Sequence, residues 1–292
     1  MSVENALAPK GFSMNVLFVT DLHGCTWKYE RLFEVAQAFQ ADVVVNGGDM
    51  LPKEGDLSAQ GAFIADYLDP HFAQFDAAGI HYLCYPGNDD LSIFDELFEQ
   101  TCDRYAFVAC LAQRKCELGD FEYIGMNWVV DYPFRLKDRC RMDTSTYVFQ
   151  GQFGTGLLST PEGWYEIKDW FSYAKTLPTI EDELRRLVRP KDRTQSIYVI
   201  HMPPYRLGLD ECGDGAKVGS KAVYDFLLEH QPKLSLHGHI HESPEVSGRW
   251  YAGLGSTLCI QPGQLEPFTY VTINLRTMKF DRHTDYDVNR EP

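Results

Sequence analysis

Basic residues are scarce in this chain. Lys and Arg number 27 against 42 Asp and Glu, a formal net charge of −15 over 292 residues. Such a surface repels nucleic acid and anionic membranes at long range. A locally held metal cation would still attract phosphate, so the overall sign leaves phosphorylated substrates open. No run of eighteen apolar residues occurs, which argues against a membrane-spanning helix. The first fourteen residues lack a positively charged start followed by an apolar block, and read as a short tail rather than a secretory signal. None of the eight Cys forms Cys-x-x-Cys, which removes zinc ribbons and thioredoxin-type motifs. Scattered thiols read as reduced, so the expected location is the cytoplasm. There is no internal repeat or low-complexity tract. What remains is an ordinary globular composition, 44% hydrophobic and 24% charged. It has room for one large domain with an insertion.

Polar punctuation after apolar runs carries the chemistry. Residues 15–20 are nearly all apolar, as in a strand buried on both faces, and lead into Asp21-Leu-His23-Gly24. Asp and His at i and i+2 point the same way at a strand end and suit a metal. A helix is expected over 28–39, then a second buried strand at 42–45 ending in Asn46-Gly-Gly-Asp49. The carboxylate of Asp49 has two oxygens and can bridge two cations. A helix over 59–78 precedes a third strand at 81–85, which runs into Pro86-Gly87-Asn88-Asp89-Asp90. A helix over 91–102 and a strand at 121–124 follow. Another apolar strand at 196–200 ends in His201-Met-Pro-Pro-Tyr205. Ser220 is positioned to cap a helix running to His230, and Thr179 to open one as a capping-box variant. Finally, Leu236-His237-Gly238-His239-Ile240-His241 places three histidines in five residues, and the remainder of the chain reads as β-rich. Each piece alone is an ordinary turn. Together, Asp21, His23, Asp49, Asn88, His201, His239 and His241 are seven side chains of metal-ligand type on five strand ends. In open α/β sheets, sites lie outside such ends. Imidazoles mixed with oxygens suit manganese, iron, zinc or nickel better than calcium.

Between 127 and 177 the periodicity breaks down, and the segment reads as an inserted cap or long functional loop. Its basic residues Arg135, Lys137, Arg139 and Arg141 read as ordinary surface charges, with contact to substrate phosphate as the alternative. Tyr205 and Arg206, just after His201, are candidates to line the substrate cleft. His237 is expected to be a supporting histidine rather than a ligand. His71, His81, His230 and His283 are expected to be structural, and Cys25 a packed thiol.

Asp21-x-His23, Gly47-Gly48-Asp49, Gly87-Asn88, His201 and Gly238-His239-x-His241, in that order, resemble the calcineurin-like metallophosphoesterase superfamily. The stretches 201–205, 218–222 and 236–242 are most similar to an Icc-like branch of predicted phosphoesterases. The resemblance implies a four-layer α/β/β/α sandwich, with one domain over 15–292 and an insertion at about 127–177. It implies two transition-metal ions (Mn, Fe, Zn or Ni). Asp21, His23 and His241 would hold one ion, Asn88, His201 and His239 the other, and Asp49 would bridge them. Asn88 would also touch substrate, and a phosphate mono- or diester would be hydrolysed by in-line attack of metal-bound hydroxide.

One departure bears on mechanism. Many members carry His after Gly-Asn, where it helps the leaving oxygen; here that place is Asp89. A carboxyl with the reference pKa of about 3.9 is an anion at neutral pH and cannot donate a proton. Nearby cations favour that form further. The alternatives are a protonated Asp89 or one that adds a metal contact. A phosphorylated small molecule is the expected substrate. The competing functions are a non-catalytic scaffold of the same fold, which tends to lose ligands, and a nuclease-type phosphodiesterase, which should carry a basic groove with interleaved aromatics.

Overall fold

A computed structural model describes residues 14–53 and 58–287. The expected tail, Met14 apart, lies outside the described residues. In chain order, β1 (Asn15–Val19), α1 (Thr26–Phe39), β2 (Val43–Asn46), α2 (Ala59–Phe63), α3 (Asp69–Ala78), β3 (His81–Cys84), α4 (Asp95–Cys102) and β4 (Val108–Cys110) alternate strand and helix. β5 (Lys115–Leu118) and β6 (Phe121–Met126) form a hairpin. Residues 127–177, expected to be an insertion and called so below, hold β7 (Val129–Val130), β8 (Cys140–Arg141), β9 (Gly156–Thr160), β10 (Gly163–Ile167) and α5 (Trp170–Ala174). Then come α6 (Ile180–Arg186), β11 (Ser196–Ile200), α7 (Lys221–His230), β12 (Leu234–Leu236), α8 (Ser243–Ser247), β13 (Tyr251–Leu254), β14 (Thr257–Ile260), β15 (Phe268–Asn274) and β16 (Lys279–Asp285).

Two six-stranded sheets result, ordered β16-β15-β1-β2-β3-β4 and β13-β14-β12-β11-β6-β5. β1 to β4 are mutually parallel, and so are β6, β11, β12 and β14; antiparallel strands close both edges of the second sheet and one edge of the first, whose other edge is the parallel β4. Strand alternation sorts the core into layers. Ile197 and Val199 of β11 join the cluster that holds β1, β2, β3, α1 and α3. Their neighbours Tyr198 and Ile200 join a second cluster with α6 and α7. One apolar cluster therefore joins the two sheets and another joins the second sheet to its helices, consistent with the metallophosphoesterase fold. Each fully buried Val, Leu or Ile contributes about 1.5–3 kcal/mol.

The helix expected over 59–78 is continuous but contains a π-helical turn, Ile64–Leu68, between α2 and α3. Pro70 explains it: proline offers no N–H and its ring crowds the carbonyl four residues back, at Asp66. The helix expected over 91–102 opens as a 3₁₀ turn, Ser92–Phe94, before α4. Both expected caps form. Thr179 and Asp182 make a reciprocal capping box, and the Ser220 hydroxyl accepts from Val223 N. The insertion is more regular than its sequence suggests. β7 pairs with β8, and β9 with β10, in elements too short to show a period.

The basic residues of the insertion require a correction. Arg135 is a surface charge, but Lys137, Arg139 and Arg141 are buried. Lys137 Nζ pairs with Asp131 at 2.7 Å, Arg139 with Asp95 at 3.0 Å, and the Arg141 guanidinium lies 3.8 Å from the Trp128 ring centroid. Charges on an irregular segment look solvated in sequence; here each found an anion or a ring inside the fold.

Candidate metal centre

Parallel pairing sends the loops after β1, β2 and β3 off one edge of the first sheet. The loops after β11 and β12 leave the second sheet to meet them. The ladder continues past the strands: Asp21 N donates to Gly48 O, His23 N to Asp49 O and Gly24 N to Met50 O, all at 2.9 Å. This requires unusual backbone. Asp21, His23, Asp49 and His239 have φ of 57°, 45°, 52° and 72°. Left-handed conformations in non-glycine residues cost about 1–3 kcal/mol each, and clusters of them mark functional sites. Two glycines make room. A Cβ on Gly87 would lie 2.1 Å from Asp49 Oδ1, and one on Gly238 would lie 2.6 Å from Asp21 Oδ2.

All seven expected side chains converge, in two groups that share Asp49. Donor atoms of Asp21, His23, Asp49 and His241 lie within 4.8 Å of one another, and so do those of Asp49, His201 and His239. Asn88 joins the second group, its Oδ1 lying 2.9 Å from His201 Nε2 and 2.6 Å from His239 Nδ1. In the first group, His23 Nε2 and His241 Nε2 approach to 3.1 Å, and His241 Nε2 lies 3.4 Å from Asp21 Oδ1. The His201 Nδ1 proton points at Gly47 O, 2.7 Å away, because a carbonyl can only accept. The other nitrogen of His201 then turns its lone pair toward Asn88 Oδ1 and Asp49 Oδ2, the latter 3.4 Å away. Lone pairs facing lone pairs need a cation or an added proton. This donor set therefore fits metal ions, with the supporting hydrogen bond on the far nitrogen that ligand histidines usually make.

The charges follow the same logic when no cation is bound. Burial pushes the Asp49 and Asp21 carboxyls up, but the imidazoles beside them outweigh it and hold both well below the ordinary carboxylate range. Burial works against the charged form of His201 too, but Asp49 and Asp21 raise it to about 9. Burial dominates at His23 and His239, which fall to about 3. At Asp89, burial and then the Asp49 charge push the carboxyl up, opposite to the anion expected from its reference value. Bound cations would act the other way.

A family model described as calcineurin-like phosphoesterase matches residues 14–243. The chain belongs to the calcineurin-like phosphoesterases. Members of this family depend on a dinuclear metal centre. Among solved structures, the TT1561 protein of Thermus thermophilus is similar at 17% identity. The match covers 94% of this chain and 99% of that one, with a TM-score of 0.59, a likeness of fold. A novel archaeal phosphodiesterase matches at 10% identity over 93% and 99% of the two chains, with a TM-score of 0.46. No curated protein matches the chain. No helix among the described residues is long and apolar enough to cross a membrane.

Within this phosphoesterase fold, three residues support the loops: Asp90 and Arg139 escape sequence reasoning, and His237 takes the supporting place expected of it. Asp90 is fully buried and accepts from Met50 N, Leu51 N and Gly87 N at 2.7–2.9 Å, tying the Asp49 loop to the Asn88 loop. Arg139 donates to Gly87 O at 2.7 Å and Asp90 O at 3.3 Å, bracketing Asn88 and Asp89 from behind. Nothing local distinguishes Asp90 from Asp89, or Arg139 from its neighbours. His237 is buried, and its Nδ1 lies 2.9 Å from Ile200 O and 3.1 Å from Met202 O, the carbonyls on either side of His201. Asp89 sits in the centre: its N donates to Asp49 Oδ1 and its Oδ1 accepts from Asn88 Nδ2, both at 2.9 Å.

Arg206 is exposed on a cavity of about 390 Å³ whose lining also includes Arg249, Trp250 and Tyr251 and none of the seven. The remaining histidines have other surroundings. His71 packs among Tyr29, Phe75 and Tyr82, His81 against Phe107, His230 on Phe226 and His283 on Tyr270. All eight Cys are free thiols.

Proposed function

We propose that this chain hydrolyses a phosphate mono- or diester by in-line displacement at two metal ions. Asp21, His23 and His241 would hold one ion, Asn88, His201 and His239 the other, and Asp49 would serve both. The observation that carries this reading is the membership of Asp49 in both donor groups. Its Oδ2 faces both, 3.9 Å from His23 Nε2 and 3.4 Å from His201 Nε2, while Oδ1 accepts from the backbone N–H of Asp89. Two cations at such a site neutralise phosphoryl oxygens and activate water as a nucleophile. Imidazoles with carboxylate and amide oxygens favour Mn, Fe, Zn or Ni.

The chain's own residues do the positioning. Gly47 O fixes the His201 tautomer, His237 holds the carbonyls around it, and Asp90 and Arg139 keep the Asn88 loop against the Asp49 loop. The amide of Asn88 offers its nitrogen on the side of Asp89, where a phosphoryl oxygen could replace the carboxylate as acceptor. Asp89 stands where many relatives place a proton-donating His, so leaving-group assistance is weak or passes through water.

The test is metal reconstitution followed by hydrolysis of bis-(p-nitrophenyl) phosphate beside the monoester. Two ions per chain and turnover are expected; failure to take up two ions overturns the reading. Weak leaving-group assistance predicts that kcat/KM climbs as the leaving group becomes more acidic, and a flat dependence would exclude it. Asp89→Asn is expected to change the pH profile or the metal content. Identity of the variant with the parent in both would remove Asp89 from the chemistry.

A further inference from the structure

We propose that aromatic rings of the insertion form a subsite for a planar group carried by the substrate, an aryl or nucleobase moiety on the phosphoester. The proposal rests on the phosphoesterase reading above and names its substrate class. A line of rings leaves the metal centre at His239. The Tyr132 centroid lies 5.9 Å from His239, Phe134 lies 5.9 Å from Tyr132, and Phe153 meets Phe134 at 5.4 Å, edge to face. The outer two are 62% and 70% exposed. Exposed phenyl rings forgo the stabilisation that burial would bring, and these two are continuous with a catalytic centre rather than scattered.

The scaffold beneath them is prebuilt. Asp131 is buried and accepts from Lys137 Nζ at 2.7 Å, Trp170 Nε1 at 2.8 Å and Gln152 Nε2 at 3.1 Å. Lys137 also donates to Tyr132 O, and its ammonium lies 4.9 Å from the Tyr132 ring centroid. Phe153 N donates to Pro133 O at 2.8 Å, which ties the backbone of Phe153 to the peptide that precedes Phe134. Little ordering remains to oppose binding. Aromatic faces accept any planar π-system, and stacking a base on one is worth about 1–3 kcal/mol. The overall charge of −15 disfavours a long polyanion, so the planar group belongs to a small molecule.

The experiment is calorimetric titration of metal-loaded protein with three unreactive probes: methylphosphonate, phenylphosphonate and the phosphonate analogue of adenosine 5′-monophosphate. A planar probe is expected to bind about tenfold tighter than methylphosphonate. The better of the two planar probes identifies the moiety as aryl or nucleobase. In Phe134→Ala/Phe153→Ala that preference falls about tenfold; both rings are exposed, so the fold should tolerate the change. Tyr132→Leu supplies a second variant with the same expected loss. Equal affinity for methyl and planar probes, or a preference that survives both variants, overturns the proposal alone. If no probe binds and no phosphoester is turned over, the phosphoesterase reading falls and takes this proposal with it.

Discussion

At the strand ends, acceptors face acceptors. Asn88 Oδ1 lies against two imidazoles, two His Nε2 atoms approach to 3.1 Å, and two carboxylates sit among them. In the insertion, buried charges are already matched: Lys137 meets Asp131 and Arg139 meets Asp95. Both regions place ionised groups where desolvation is expensive. The insertion offsets that cost within the chain, whereas the strand-end loops leave it to be offset by something added. The backbone draws the same line. Five non-glycine residues of the loops, Asp21, His23, Asp49, Arg206 and His239, adopt left-handed φ, while no non-glycine residue of 127–177 does. Strain and unmatched lone pairs together mark a binding centre, and matched pairs mark a brace.

The sharpest way to break this contrast is Asp49→Ala. It removes the carboxylate common to both donor groups, and turnover is expected to fall by ~10⁴-fold or more. Metal analysis should no longer find two ions; retained turnover would dissolve the distinction. Next, Lys137→Met strands the buried Asp131 charge and should cost about 3–5 kcal/mol in chemical denaturation. Lys137→Met/Asp131→Asn should recover part of that loss, because the uncompensated charge is gone. No recovery would mean that packing, not pairing, holds the insertion.

Arg139→Ala tests the join between the regions. It frees the carbonyls of Gly87 and Asp90, and metal affinity is expected to drop about 10–100-fold. Arg139→Lys should restore little, because a point charge cannot reach both carbonyls and Asp95. Unchanged metal affinity would show that the insertion does not support the centre. Arg135→Ala, by contrast, removes an exposed pair with Glu166 and exposed hydrogen bonds to Thr155, and should shift stability by about 0–1 kcal/mol.

The expected strands, caps and site residues were legible because each rests on local signals. Apolar runs such as 15–20 and 42–45 read as strands whatever surrounds them, and Asp21, Asp49, Asn88, His201 and His239 follow such runs directly. Less was legible after Pro86, where Asn88, Asp89 and Asp90 stand in a row. One faces the imidazoles, one the shared carboxylate's neighbourhood, and one three backbone N–H groups, yet the three side chains announce none of this. The placement of Tyr205 and Arg206 beside the cleft rested only on nearness to His201 along the chain. Arg206 lines a cavity with Arg249, Trp250 and Tyr251.

From composition and order alone came the alternating α/β class, the strand ends on which chemistry would sit, and the kinds of atom available there. Folding decided which of those atoms meet, that Asp49 stands between both groups, and that Lys137 and Arg139 lie inside. It also aligned Phe134 and Phe153 with His239. The physical reason is reach. Periodicity and capping act over a few residues, so sequence carries them; burial and charge pairing depend on partners brought in by other loops, such as Asp95 for Arg139 across 44 residues. No local pattern encodes that meeting.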